Sequence, residues 1–214
     1  MTLRELQQLV ALGEGVSLEF KRRVPRAPRI AKEVVALANT HGGRILLGVA
    51  DDGTITGVSD ASEEAFAFDQ AVAQYTAPPV PYRTERIVIA PGRDVLLVVV
   101  PESDQKPHRL LNAAAAGDGT PYVRVKEMSV EASDESVRLM QAGDATNGVT
   151  FAFGETESLL MRYLDDYGRI TVAQFAQLAD VSTDEASVIL VRLVRADVLR
   201  LHADRGADYF TLRY

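Results

Sequence analysis

The spacing of apolar and polar residues changes period along the chain, and each change predicts an element. Leu3, Leu6, Leu9 and Val10 fall on one helical face. Thr2 and Glu5 form a capping box in front of them, and Gly13 ends the run. Residues 17–21, SLEFK, alternate instead. Leu18 and Phe20 face one way and Ser17, Glu19 and Lys21 the other, which predicts a half-buried strand with Glu19 and Lys21 on its polar side. The segment KRRVPRAPR carries two prolines and reads as a loop, and a helix is predicted from Ile30 to about Thr40 on the stripe Ile30, Val34, Leu37 and Ala38.

Gly42-Gly43 breaks that helix and opens the strand RILLGVA. Asp51-Asp52-Gly53 is a hairpin turn with TITGV as the returning strand. Ser62 caps a helix to about Thr76, which Pro78-Pro79 closes. RTERIVIA and DVLLVVV form a second hairpin around PGRD, and PYVRVK is a last strand. Ser133 caps a final helix to about Ala142. Residues 1–142 are therefore expected to form an α+β domain with a mixed sheet. Residues 143–154 have no period and read as a linker. Over 155–214 three helical runs precede two alternating segments around Asp204-Arg205-Gly206. That is the order of a second, smaller winged-helix domain.

Composition narrows the chemistry. The 214 residues include no cysteine, which excludes disulfides, thiolate zinc sites and cysteine nucleophiles. His41, His108 and His202 are scattered, which speaks against a structural zinc site. No segment reaches the roughly 18–20 apolar residues that span a bilayer. The N-terminus carries Glu5 early and lacks the long apolar core of a secretory signal. A cytoplasmic protein without a membrane partner is expected.

The net charge of −7 requires any nucleic-acid contact to rest on a local patch. One is present: Lys21, Arg22, Arg23, Arg26, Arg29 and Lys32 lie within twelve residues, with no acid until Glu33. Such a cluster gains affinity for phosphates by releasing counterions. Its loop form suits tracking a backbone without reading sequence. The competing reading is a solvated loop with a helical pair such as Arg29 with Glu33. Residues 155–214 carry seven basic and ten acidic side chains, a poor balance for a DNA reader. Protein contact is at least as well supported there. No G-x-x-x-x-G-K-[ST] occurs, so a P-loop ATP site is excluded, and Gly42-Gly43 reads as a tight helix-to-strand connection.

Several ordered motifs resemble the Schlafen AlbA-type domain family over about two-thirds of the chain. They are Glu14-x4-Glu19-Phe20-Lys21, Ala38-Asn39-Thr40-x-Gly42-Gly43, Gly48-Val49-x-Asp51-Asp52-Gly53, Lys106-Pro107-His108 and Tyr122-x-Arg124-Val125. Where that family often has Gly-Ser-Ser after the last motif, this chain has Lys126-Glu127-Met128-Ser129. The resemblance implies nucleic-acid binding, with Lys106 and Arg124 as further phosphate contacts; His108 could touch a phosphate too, although a lone loop histidine is more often a hydrogen-bonded structural residue. In the animal relatives it also implies a divalent-metal-dependent endoribonuclease, whose carboxylates map onto Glu14, Glu19 and Asp51, or Asp52 beside it. There Mg²⁺ or Mn²⁺ would be held by Glu14, Glu19 and Asp51 and would activate water. Lys21, two residues past Glu19, would steady the phosphate.

The reading is a regulatory nucleic-acid-binding protein, acting on DNA or RNA with transcription regulation as the expected role, that needs no cofactor to bind. Its rivals are the metal-dependent ribonuclease and an interaction module built on the winged helix. A homodimer is expected, with Val188, Ile189 and Val194 as a possible interface.

Overall fold

Helices and strands alternate as the hydrophobic period requires, and the chain is α+β. The computed structural model describes residues 1–112, 119–143 and 154–213. In chain order come α1 (Leu3–Val10), β1 (Leu18–Lys21), α2 (Ala27–Asn39), β2 (Gly43–Leu47) and α3 (Ala61–Tyr75). Next are β3 (Thr76–Ala77), β4 (Arg83–Ala90), β5 (Arg93–Val100), β6 (Arg109–Leu110), β7 (Thr120–Val125) and β8 (Met128–Glu131). Then follow α4 (Asp134–Ala142), α5 (Glu155–Tyr167), α6 (Val172–Ala179), α7 (Thr183–Arg195), β9 (Leu199–His202) and β10 (Tyr209–Leu212). Two units divide the chain, Met1–Glu131 and Ala132–Tyr214. Most of the expected linker, residues 144–153, lies outside the described residues.

The first unit holds two four-stranded sheets. One runs β1-β2-β5-β4 and is mixed, with β1 and β2 parallel and the other pairs antiparallel. Both faces are covered. Ile45, Leu47 and Val98 point to a core shared with Ile30, Val34 and Leu37 of α2 and Phe68 of α3. Leu18, Phe20, Leu46 and Leu97 point to a second core closed by Leu6 and Val10 of α1. Double burial explains why β2 and β5 are almost continuously apolar. The other sheet, β3-β6-β7-β8, is antiparallel throughout. Helix α2 also packs along β7, so it is buried almost all round, from Ile30 to Asn39 apart from Lys32.

Within the first unit the structure departs from the sequence reading in five places. Helix α2 starts at Ala27, not Ile30, with Pro28 in its first turn, where a missing N–H removes no helical hydrogen bond. Asp60, not Ser62, caps α3, accepting from the N–H groups of Ser62 and Glu63 at 2.9 and 3.0 Å. The segment TITGV forms only an isolated bridge, Val49 with Ile55, rather than a full strand. The second sheet is additional. Its two-residue strands β3 and β6 are too short to show a period, and the β7–β8 turn places Lys126 at a positive φ of 54° without the usual Gly or Asn signal. Finally, β1 is buried on both sides: Leu18, Glu19 and Phe20 are all inside.

In the second unit α5, α6 and α7 precede the antiparallel hairpin β9–β10, around a core of Leu160, Leu164, Phe175, Leu190, Leu193 and Phe210. Thr171 and Ser182 start α6 and α7 with capping boxes. Helix α4, which the sequence pattern assigns to the first domain, lies in this unit. Its Arg138 donates to Ser187 Oγ at 2.7 Å, and Ser187 donates to Glu135 at 2.6 Å. Ser133 also donates to Asp208 at 2.6 Å.

Candidate nucleic-acid interface

Three charged motif residues, Glu19, Lys21 and Arg124, meet Glu33 beneath the first sheet rather than at the surface. Glu19, 5% exposed, points from β1 toward α2, opposite Phe20. Arg124, 4% exposed, reaches it from β7: Nη2 lies 2.9 Å from Glu19 Oε2, as an ion pair without hydrogen-bond geometry. The same Nη2 donates to Gly15 O at 2.7 Å, and Nη1 donates to Glu33 Oε2 at 2.8 Å. Ser129 Oγ donates to Glu33 Oε2, and Lys21 Nζ donates to Glu19 Oε1 and, at 2.8 Å, to Phe20 O. Burial pushes the Glu19 carboxyl above its ordinary range, Lys21 and Arg124 pull it down, and Glu33 adds to the rise.

This seam takes two sequence candidates, Glu19 and Arg124, out of solvent and leaves a third, Lys21, half-buried. Arg124 is enclosed by two carboxylates and cannot meet a phosphate. Glu19 sits on a buried face, not the polar one. Lys21 has its ammonium turned inward. Glu33 pairs with Arg124 and Ser129, not with Arg29. The chain's departure from the family pattern acquires a role here, since Ser129 of Lys126-Glu127-Met128-Ser129 binds Glu33.

His108 is also structural, at 0% exposure. Its ring nitrogens lie 2.8 Å from Pro78 O and 2.6 Å from Ser103 Oγ. The carbonyl can only accept, so Nδ1 carries the proton and Nε2 accepts from the serine. Burial holds this imidazole below its ordinary pKa. Asn39 donates to His108 O and Tyr122 O at 2.8 and 2.9 Å and accepts from His108 N at 2.8 Å. Lys106 donates to Thr40 O at 2.9 Å and pairs with Glu102. At Gly42, φ is +69° and a Cβ would stand 2.5 Å from Glu102 N, so the motif glycine permits close backbone approach.

The proposed metal ligands are not gathered. Glu14 Oε1 accepts the N–H of Phe20 on the edge strand β1 at 2.7 Å. Both Glu19 oxygens face cations. Asp51 is exposed on the turn after β2. Asp52 is held low first by the Thr54 N–H and only to a lesser degree by Arg22. Among the described residues no group of three His, Cys, Asp or Glu side chains is placed to hold a metal ion. The donor set does not fit a divalent cation in this arrangement, and no catalytic step is routed through one.

The remaining basic residues behave differently. Arg22, Arg23, Arg26 and Arg29 are exposed. Among the described residues their side chains make no hydrogen bond or ion pair. Lys32 is partly buried, 4.0 Å from Glu33 Oε1 and 5.7 Å from the centre of the Tyr122 ring. Arg22, Arg23 and Arg26 line an open groove of about 640 Å³ together with Arg93, Glu63 and Glu64. Sequence reasoning missed Arg93 and Glu64 and gave Glu33 the wrong partner. Arg93 stood in the PGRD turn beyond the charge run, and an acid's distant partner leaves no local signal.

In the second unit, Ile189 and Val194 of the expected dimer face pack on that unit's own core, while Val188 is 45% exposed. Among the described residues no helix is long and apolar enough to cross a membrane.

The family model described as Schlafen, AlbA_2 matches residues 14–133, and that of the PCI domain matches residues 156–213. No curated protein matches the chain. Among solved structures, the N-terminal domain of a RecG-related protein from Nitrosomonas europaea is 19% identical, with a TM-score of 0.42, over 63% of this chain and 92% of that one. The DIP2311 protein from Corynebacterium diphtheriae is 18% identical, with a TM-score of 0.45, over 92% of this chain and 34% of that one. The chain thus spans about a third of the latter's length.

Proposed function

The chain belongs to the Schlafen, AlbA_2 family through residues 14–133, and from that premise we propose that it binds nucleic acid by holding the phosphodiester backbone on Arg22, Arg23, Arg26 and Arg29. The observation that carries this reading is that these four cations are exposed and unpaired among the described residues, while Lys21, Lys106 and Arg124 nearby in sequence or motif are already partnered. Guanidinium groups left free on a protein of net charge −7 are matched to phosphate, which they can grip with two parallel hydrogen bonds. Contacts of this kind position a strand without reading its bases. The role is regulatory binding rather than cleavage, since the carboxylates a ribonuclease would use are separated or internally paired. It requires no cofactor.

The second unit is read as a winged helix used for protein contact, given its excess of acids, and a homodimer would double the basic surface.

The test is a binding titration with mixed-sequence DNA and RNA at several salt concentrations. Replacing Arg22, Arg23 and Arg26 by Ala should weaken binding to all sequences alike. The slope of log affinity against log salt should fall by up to about three, roughly one per lost phosphate contact. Unchanged affinity and slope would refute the proposal.

A further inference from the structure

The groove beside the arginine loop contains two acids, which is unexpected for a surface that attracts phosphate. Glu63 and Glu64 lie in the first turn of α3, where carboxylates favour the positive end of the helix. Neither forms an ion pair with Arg22, Arg23, Arg26 or Arg93 among the described residues. They are not directly paired with the cations. Glu64 does something else: its Oε2 accepts the backbone N–H of Val24, 40 residues away in sequence, at 2.6 Å. Val24 is the centre of the loop between β1 and α2, with Arg22 and Arg23 before it and Arg26 after it.

Arg93 is fixed just as locally. It begins β5, and the neighbouring Asp94 exchanges backbone hydrogen bonds with Val58 at 2.7 and 3.1 Å. Gly57, at φ +66°, allows this approach: a Cβ there would stand 3.1 Å from Arg93 Cβ. The groove is thus lined by cations from two separate segments, each held by a specific backbone contact. Among the described residues no aromatic side chain lines it, so they offer charge but no base-stacking surface.

We infer that this groove is a phosphodiester-backbone site in which Arg93 is a fourth cation and Glu64 is a positioning residue for the arginine loop. The inference rests on the loop being the phosphate-binding element. A carboxylate facing the ligand repels it, so Glu64 helps binding only through the loop geometry it fixes. Ordering three arginines before the ligand arrives removes that cost from the binding step. Charge and positioning therefore predict opposite signs.

The test uses the full chain and labelled mixed-sequence duplex DNA and single-stranded RNA, with far-UV circular dichroism confirming that each variant is folded. Glu64→Gln keeps an oxygen to accept the Val24 N–H and loses the charge, so affinity should rise. Glu64→Ala loses both, and it should bind at least about threefold more weakly than Glu64→Gln. Equal or tighter binding by Glu64→Ala overturns the positioning role. Arg93→Ala should lower affinity and reduce the salt slope by about one. If Arg93→Ala changes neither while the Arg22, Arg23, Arg26 triple variant does lose affinity, the groove inference fails and the loop reading stands. If the triple variant is also unchanged, the loop reading itself is overturned, and this inference with it.

Discussion

Two sets of charged residues in the first unit differ in burial, and the difference separates their roles. Glu19, Glu33, Arg124 and Lys21 lie beneath the first sheet and neutralise one another across β1, α2 and β7. Arg22, Arg23, Arg26 and Arg29 begin one residue after Lys21, and their side chains make no hydrogen bond or ion pair among the described residues. The family motifs supply most of the first set and none of the second. Here the motif residues Glu19, Asn39, Gly42, His108 and Arg124 build the scaffold: they tie β1, α2 and β7 together and allow the α2–β2 turn. The exposed arginines without an ion pair lie between the motifs. A residue that recurs in a family signature is therefore not, on that ground alone, a residue that touches the ligand.

The sharpest way to break this comparison is Arg124→Ala. It would leave two carboxylates buried without their shared cation, and removing one partner of a buried pair costs about 3–5 kcal/mol. Denaturant unfolding should show a loss of that order, while the fraction still folded binds nucleic acid as before. A small stability change with a large loss of binding would instead move Arg124 into the interface.

The reverse is expected for the exposed set. Alanine at Arg22, Arg23 and Arg26 should shift stability by no more than about 0.5 kcal/mol per site, as is usual for surface positions without partners. Binding should fall all the same. If the triple variant unfolds as readily as Arg124→Ala, the loop has structural contacts that the comparison denies it.

What the sequence discloses follows the same division. Helix α1 with its capping box, the apolar stripe of α2, the β4–β5 hairpin and the three helical runs of the second unit were all legible, because local periodicity writes them directly. The start of α2 was obscured because Pro28 reads as a breaker, although it is tolerated in a first turn. The arginine cluster was legible as a run of charge. Which of its members are free was not, because Glu33 and its partner Arg124 are 91 residues apart. Glu19 looked solvated because it alternates with Leu18 and Phe20, and alternation cannot show that the second face of a strand is covered by a helix and a second sheet. Glu64 could not have been found from sequence, since its only distinguishing act is a hydrogen bond to a distant backbone N–H.

The buried set should also be distinguishable by pH, through two groups shifted in opposite senses. Burial lowers His108, so the folded state resists its protonation. Its contribution to stability is complete above the unfolded value of about 6.5 and is lost as pH falls through the lower folded value. In an NMR titration of the three imidazoles, His108 should remain neutral when an unperturbed histidine has already protonated. A His108 resonance that titrates at the ordinary value would show that Pro78 and Ser103 do not enclose it.

Glu19 gives the opposite effect. Burial raises its carboxyl, against the pull of Lys21 and Arg124, so the folded chain holds this proton more tightly than the unfolded chain does. The associated stability is complete below the unfolded carboxyl range and is lost as pH rises through the raised folded value. Glu19→Gln cannot ionise and stops opposing Glu33, while its amide oxygen can still face Arg124. The stability of the wild type relative to this variant should therefore decline as pH rises from about 4 toward neutrality. The check is a set of urea midpoints for both proteins at matched ionic strength. A gap that stays constant across that range would mean that Arg124 and Lys21 fully compensate the burial of Glu19. A gap that widens in favour of the wild type would reverse the sign, and the ion pairs would then dominate the seam.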